Sequence, residues 1–306
     1  MMAVLSLAAY AYAPPVAPQL GAGRVTIQEG ATKGSVSVFI DGVEWFAPGE
    51  AVSTRYNNKL FSAANGSLKL MSDSTSNGVD AYGAYERRTW MWQASDLYFE
   101  TSARVYDEAV VFAQRWRGAA AGVSAGDKEG LASVFPSFAM PLENSSAPTR
   151  GYLQYEGDMV GSGYHLGQWD HKATGVGSGV TDTGPLCIFA ADLKTSVVLS
   201  PLGANVMTSS QKYSGPGTHL SYGLLGSVAD VPAGYTLEFV LSVGRGVRPA
   251  MLKWGDLLLA NSGKRRDAAW DLDYSLRYLG YMRRANSARN SARNSAERRQ
   301  PRLLLL

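Results

Sequence analysis

The sequence predicts a mainly β fold: a large antiparallel two-sheet β-sandwich, followed by a linker helix and a disordered basic tail. Three observations carry that expectation. Between Arg24 and Val243, short runs of β-branched and aromatic residues recur, broken by Gly, Asn, Asp, Ser and Pro. No comparable run of helical periodicity interrupts them, which argues against alternating strand–helix units. Glycine is abundant at 33 of 306 residues, above the roughly 7% usual in globular chains, and it suits many tight turns.

The chain reads in four parts. Residues 1–23 are a lead-in whose stretch at 3–13 (AVLSLAAYAYA) has the length of a signal-peptide core, with Ala9-Tyr10-Ala11 as a small-x-small cleavage pattern. No Lys or Arg precedes it, so export to the secretory pathway and a peptide without targeting value both stay open. The run is far short of the roughly 20 residues that span a bilayer, and no membrane span is expected. Residues 24–247 form the sandwich. Asp41-Gly42 between 35–40 and 43–46 predicts a hairpin, because both turn residues need positive φ. Further strands are expected at 59–71, 85–93, 97–105, 109–116, 151–155, 186–190, 196–199 and 235–243. The Gly-, Ser-, Thr- and Asp-rich stretch 143–184 reads as surface loops.

Residues 248–281 hold a linker helix and one strand. Pro249 suits a first helical turn, Met251, Trp254 and Leu258 fall at helical spacing, and Gly263 can close the helix in a left-handed cap. Residues 282–306 are the tail, with the tandem repeat NSAR–NSAR–NSAE. It carries seven Arg and one Glu, +6, so the remaining chain is +3 minus +6, or −3. The basic pI of 8.8 therefore belongs to a low-complexity segment without interleaved aromatics, and no nucleic-acid partner is expected. The one cysteine, Cys187, offers neither an intrachain disulfide nor a cysteine-based zinc site, and it reads as a small buried hydrophobe.

Several segments in order, 184–189 (GPLCIF), 196–202 (SVVLSPL), 231–235 (VPAGY), 254–259 (WGDLLL), 263–266 (GKRR) and 278–281 (YLGY), carry a resemblance. Together they resemble the amino-terminal half of large glycoside-hydrolase-like proteins, similar to α-galactosidases and raffinose synthases, in which a β-sandwich precedes a TIM-type barrel. The resemblance covers about residues 35–281 and no single motif in it is diagnostic. It implies that 276–281 is similar to the first barrel strand, after which 282–284 departs from the family pattern. One strand cannot close a barrel of eight. The chain is thus expected to hold the accessory sandwich without the catalytic module, and no catalytic residue is carried over.

The remaining chemistry is sparse. Glycoside hydrolysis needs two carboxyl groups across a cleft; Asp158, Asp170, Asp182 and the Asp107-Glu108 pair are the acids of interest, with solvated loop acids the simpler reading. Tyr164, His165, Trp169, Asp170 and His171 are the densest polar and aromatic cluster. Tyr164 and Trp169 could stack on a sugar ring while His165 or Asp170 bonds its hydroxyls, or Trp169 could be pinned on its own domain. The histidine spacing matches no standard zinc motif, so neither metal nor cofactor is expected. Trp90 and Trp92 share one face of a strand, read as core or interface, and His219 as a structural histidine. Asn65 and Asn144 head glycosylation sequons.

The expectation that follows is a non-catalytic, carbohydrate-associated sandwich. Its alternatives are a sugar epimerase or lyase using a loop His or Tyr as base, and a lectin-like or purely structural module. An apolar surface at 251–281, open to a barrel or a second copy, belongs to the same expectation.

Overall fold

The computed structural model describes residues 19–127, 130–141, 148–155, 164–170, 173, 176, 184–213 and 219–266. The chain divides into two units, Met1–Ser262 and Gly263–Leu306; of the second, residues 263–266 are described. The expected strand at 276–281 and the basic tail lie outside the described residues, as does the apolar run at 3–13.

The described chain is mostly strand. In order these are β1 (Gln19–Leu20), β2 (Val25–Glu29), β3 (Val36–Ile40), β4 (Val43–Pro48), β5 (Ser53–Tyr56), β6 (Lys59–Ser62), β7 (Lys69–Asp80), β8 (Gly83–Ala94), β9 (Leu97–Val105) and β10 (Ala109–Trp116). There follow β11 (Ser133–Val134), β12 (Ser137–Ala139), β13 (Arg150–Tyr155), β14 (Tyr164–Gln168), β15 (Leu186–Ala190), β16 (Ser196–Leu202), β17 (Ser209–Tyr213), β18 (His219–Leu224) and β19 (Thr236–Gly244). A single described α-helix, α1 (Val247–Asn261), comes after them.

A seven-stranded sheet has the order β1-β2-β3-β4-β12-β18-β17, and a nine-stranded sheet the order β14-β13-β15-β16-β19-β10-β9-β8-β7. A small third sheet joins β11, β5 and β6. Adjacent strands pair antiparallel throughout, as expected of a sandwich. The β3–β4 hairpin turns on Asp41 and Gly42 with φ of 50° and 78°, the positive values that this dipeptide predicts.

Three departures from the expected strands have physical causes. The run expected at 59–71 is split: β6 ends at Ser62, a turn through Gly66 follows, and β7 starts at Lys69 and runs 12 residues through a polar stretch. That stretch lacks an apolar alternation, yet its ladder with β8 pairs Lys69 with Gln93 and Asp80 with Gly83. Within the expected loops, residues 164–168 form β14 by pairing with β13. β17 and β18 pair with one another, and β18 enters the seven-stranded sheet against β12.

The core lies between the sheets. Alternate residues of each strand point inward: Val110, Phe112 and Trp116 from β10, Leu237, Phe239 and Leu241 from β19, and Val36, Val38 and Ile40 from β3 share one buried cluster. Rings meet across the gap, Phe112 against Phe138 at 5.9 Å and Tyr222 against Phe239 at 5.3 Å. Trp90 and Trp92 are buried in this cluster, the core reading of their shared face, and Trp92 Nε1 donates to Thr101 Oγ1 at 2.9 Å. Cys187 is also buried.

α1 packs on the other face of the nine-stranded sheet. Val247, Met251 and Trp254 contact Cys187 and Val198, while Leu257 and Leu258 join Val111, Leu202 and Val240. Trp254 Nε1 donates to Ser200 Oγ at 2.7 Å. The helix sits where Gly244 removes a side chain: a Cβ there would lie 2.3 Å from Ala250 N. Pro249 occupies the first turn and Gly263 has φ +66°, as the sequence predicts. Leu252 stays exposed at 43%. No described helix is long and apolar enough to cross a membrane.

Candidate functional site

The sequence-predicted cluster falls on the β13–β14 hairpin at one edge of the nine-stranded sheet. Tyr164 pairs with Tyr155 and His165 with Gln154 in the ladder, and His165 is exposed. Trp169 is 3% exposed. Its ring packs edge-on against Tyr152 with centroids 6.1 Å apart, and its backbone N–H donates to Arg150 O at 2.8 Å. That is the pinned reading: stacking on a sugar requires an uncovered ring face, and this ring belongs to the core. Asp170 is half-buried in a tight turn whose carbonyl accepts from Ala173 N at 3.0 Å. The hairpin keeps these residues adjacent in sequence, with His165 outward and Trp169 inward.

His171, Asp158, Asp182 and Asn144 lie outside the described residues. Asn65 is exposed in the turn before β7, where its Oδ1 accepts from Ser67 N at 3.0 Å and Ser67 Oγ at 2.6 Å. On β18, His219 Nδ1 lies 3.6 Å from Glu50 Oε1. Among the described residues no group of three or more His, Cys, Asp or Glu could hold a metal ion.

A larger concavity forms at the far edge of the same sheet, where the β7–β8 hairpin extends beyond its neighbours. Strand alternation puts Thr75, Asn77 and Val79 of β7 beside Ala84, Glu86, Arg88 and Trp90 of β8 on one face. The lead-in Gly21–Gly23 and Asp107 close one end as a groove of about 690 Å³. Leu20, Ile27, Glu29 and Val36 close the other as a deeper pocket of about 320 Å³, and Asn77 and Glu86 line both.

The groove is held by polar contacts that fix its carboxylates. Glu86 Oε2 accepts the Gly21 N–H at 2.8 Å. Glu29 accepts Trp90 Nε1 at 3.0 Å and pairs with Lys33 at 3.1 Å. Arg88 pairs with Asp73, donates to Thr75 Oγ1 at 3.1 Å, and lies 6.0 Å over the Trp90 ring. At the groove's end Tyr106 donates to Asp80 at 2.7 Å, and burial first, then that carboxylate, pushes its phenol well above the usual range. Asn77 is exposed. Amide, hydroxyl, carboxylate and guanidinium groups thus alternate over an apolar floor of Leu20, Ile27 and Val36, an arrangement that offers donors and acceptors to a polyhydroxylated ligand.

Sequence reasoning singled out Trp90 and Trp92, in the strand expected at 85–93, but not Thr75 or Asn77. Those two sit in a polar run without strand periodicity, and only the ladder with β8 brings them to the groove. Glu29 is likewise placed by the opposite sheet.

No protein-family model matches the chain, and no curated protein matches it in sequence. Solved structures match it in fold. A variant of a glycoside hydrolase family 97 enzyme from a Pseudoalteromonas species aligns with a TM-score of 0.51 at 11% identity, covering 75% of this chain and 36% of that one. The alpha-N-acetylgalactosaminidase NagBb from Bifidobacterium bifidum, in complex with Gal-NHAc-DNJ, aligns with a TM-score of 0.51 at 12% identity, covering 86% and 42%. At this identity the likeness is one of fold. The chain spans about two fifths of the length of these structures. Both are glycoside hydrolases, the group that the sequence resembles.

Proposed function

We propose that this chain is a non-catalytic, carbohydrate-associated β-sandwich, an accessory domain working alongside a glycoside-hydrolase-type catalytic module. The observation that carries the reading is the groove on the β7–β8 hairpin, where Thr75, Asn77, Glu86 and Arg88 line one strand face above an apolar floor. The fold likeness to glycoside hydrolases supports a glycan as the ligand. Glu86 ties down the lead-in and Glu29 ties Trp90 to Lys33, contacts that support a structural role for both acids. Export through the secretory pathway, with a glycan on Asn65, belongs to the same proposal.

Calorimetric titration of the full chain with a panel of neutral oligosaccharides tests it. Saturable binding weakened about tenfold in Asn77→Ala is expected, since one neutral hydrogen bond contributes about 1 kcal/mol and its partner is then left unpaired. Binding unchanged in Asn77→Ala and Glu86→Gln removes the groove from the reading. Turnover of chromogenic glycosides that disappears in Glu86→Gln overturns the non-catalytic role.

A further inference from the structure

The opposite face of β8 carries a second depression built by the sheet register. Ser102 of β9 stands directly across from Ala113 of β10, and these two small residues form a floor. Long side chains stand round it: Arg87 opposite Arg104, Glu100 opposite Arg115, and beyond them Thr236 and Glu238 of β19. The resulting cleft has a volume of about 130 Å³. That is about four water volumes, the scale of one small ionic group.

Its charge is unbalanced towards cations. Three guanidinium groups face two carboxylates, and Arg87 and Arg104 are directly opposed, a like-charge pairing that a sheet does not favour unaided. Glu100 is 3% exposed and already saturated: one oxygen accepts Arg87 at 2.7 Å and the other is held bidentate by Arg117 at 3.1 and 2.7 Å. Arg104 bridges Glu238 at 2.5 Å and Asp80 at 3.0 Å. Two donors are left over. Arg87 Nε is enclosed and donates to nothing, and among the described residues the exposed Arg115 side chain makes neither hydrogen bond nor ion pair. Burial raises the Glu238 carboxyl above its usual range despite Arg104.

We propose that this cleft binds a small oxyanion, a carboxylate or sulfate group, through the guanidinium groups of Arg115 and Arg87 that line it. Planar guanidinium donors suit such groups because two N–H bonds align with two oxygens. The oxyanion can be free or carried by an acidic sugar. The cleft and the groove lie on opposite faces of β8, so each can fail alone.

Titration of the full chain at low salt with sodium glucuronate, inorganic sulfate and glucose tests the site. Saturable binding of glucuronate or sulfate, absent with glucose and weakened about tenfold in Arg115→Gln, is expected. Arg87→Lys keeps the charge beside Glu100 but lacks the planar fork of donors, and it should weaken binding as well. Glucuronate binding in preference to sulfate assigns an acidic sugar; equal binding assigns a free oxyanion. Absence of binding by either anion, or equal affinity in the wild type and Arg115→Gln at unchanged melting temperature, overturns the proposal.

Discussion

Arg150 shows how one residue joins the two sheets. It is buried on β13, and its guanidinium donates to Trp45 O at 3.1 Å and Glu44 O at 2.9 Å on β4 while stacking 4.4 Å from the Trp45 ring. Burial lowers its pKa, and carbonyls rather than a buried carboxylate receive its charge. Arg150→Ala leaves two carbonyl oxygens unpaired and removes the stacked plane, so a loss of about 3 kcal/mol in urea unfolding is expected. Cys187 makes the reverse case. Burial pushes its thiol up to about 11, so thiol reagents should leave the native chain unmodified and label it once in urea; labelling of the native protein contradicts that packing. At this scale the sequence was legible for Cys187, a lone apolar-strand cysteine, and opaque for Arg150, whose partners lie about a hundred residues away.

α1 is legible as an element because helix spacing, Pro249 and Gly263 are all local signals. Its docking is not local: it rests on β15, β16 and β19, three strands separated in sequence, and on the missing side chain of Gly244. A methyl in Gly244→Ala would meet Ala250 backbone at 2.3 and 2.5 Å, contacts that only a lifted helix relieves. A stability loss of about 2 kcal/mol or more is expected, with a red shift of Trp254 fluorescence as its contacts open. An unchanged melting temperature and spectrum would contradict the close approach. β7 teaches the converse lesson. A polar run predicts a loop, yet backbone pairing with β8 needs no apolar side chain, and so the groove's Asn77 could not be read from its neighbours.

Across the sandwich a charge network ties the start of β2, the β3–β4 turn, the β9–β10 corner and the helix. Arg24 pairs with Asp41 at 2.7 Å and Glu108 at 3.0 Å, and Lys253 also pairs with Glu108. Arg24 holds the Asp41 carboxyl below its usual 3.8, and Lys253 with Arg24 holds Glu108 below 4.5. A depressed carboxyl stabilises the fold above its unfolded pKa, so this contribution is complete above 4.5 and fades as pH falls through the lowered values. Glu238, raised by burial, has the opposite sign: its contribution is complete below 4.5 and is lost as pH rises through its folded pKa. Urea melts between about pH 3 and pH 7 should therefore show a shallower acid limb in Arg24→Gln than in the wild type. The partners are partly solvated, which keeps the effect modest. Equal acid limbs would deny the network its role. By itself the sequence determined the β class, most strand positions, the helix and the separation of a basic tail from an acidic body, because alternation, turn residues and charge are written in neighbouring positions. Only the tertiary structure decided that Trp169 is core and that the polar β7 lines a groove. It also decided that three arginines ring the Ser102–Ala113 floor, because register between distant strands sets which side chains share a face.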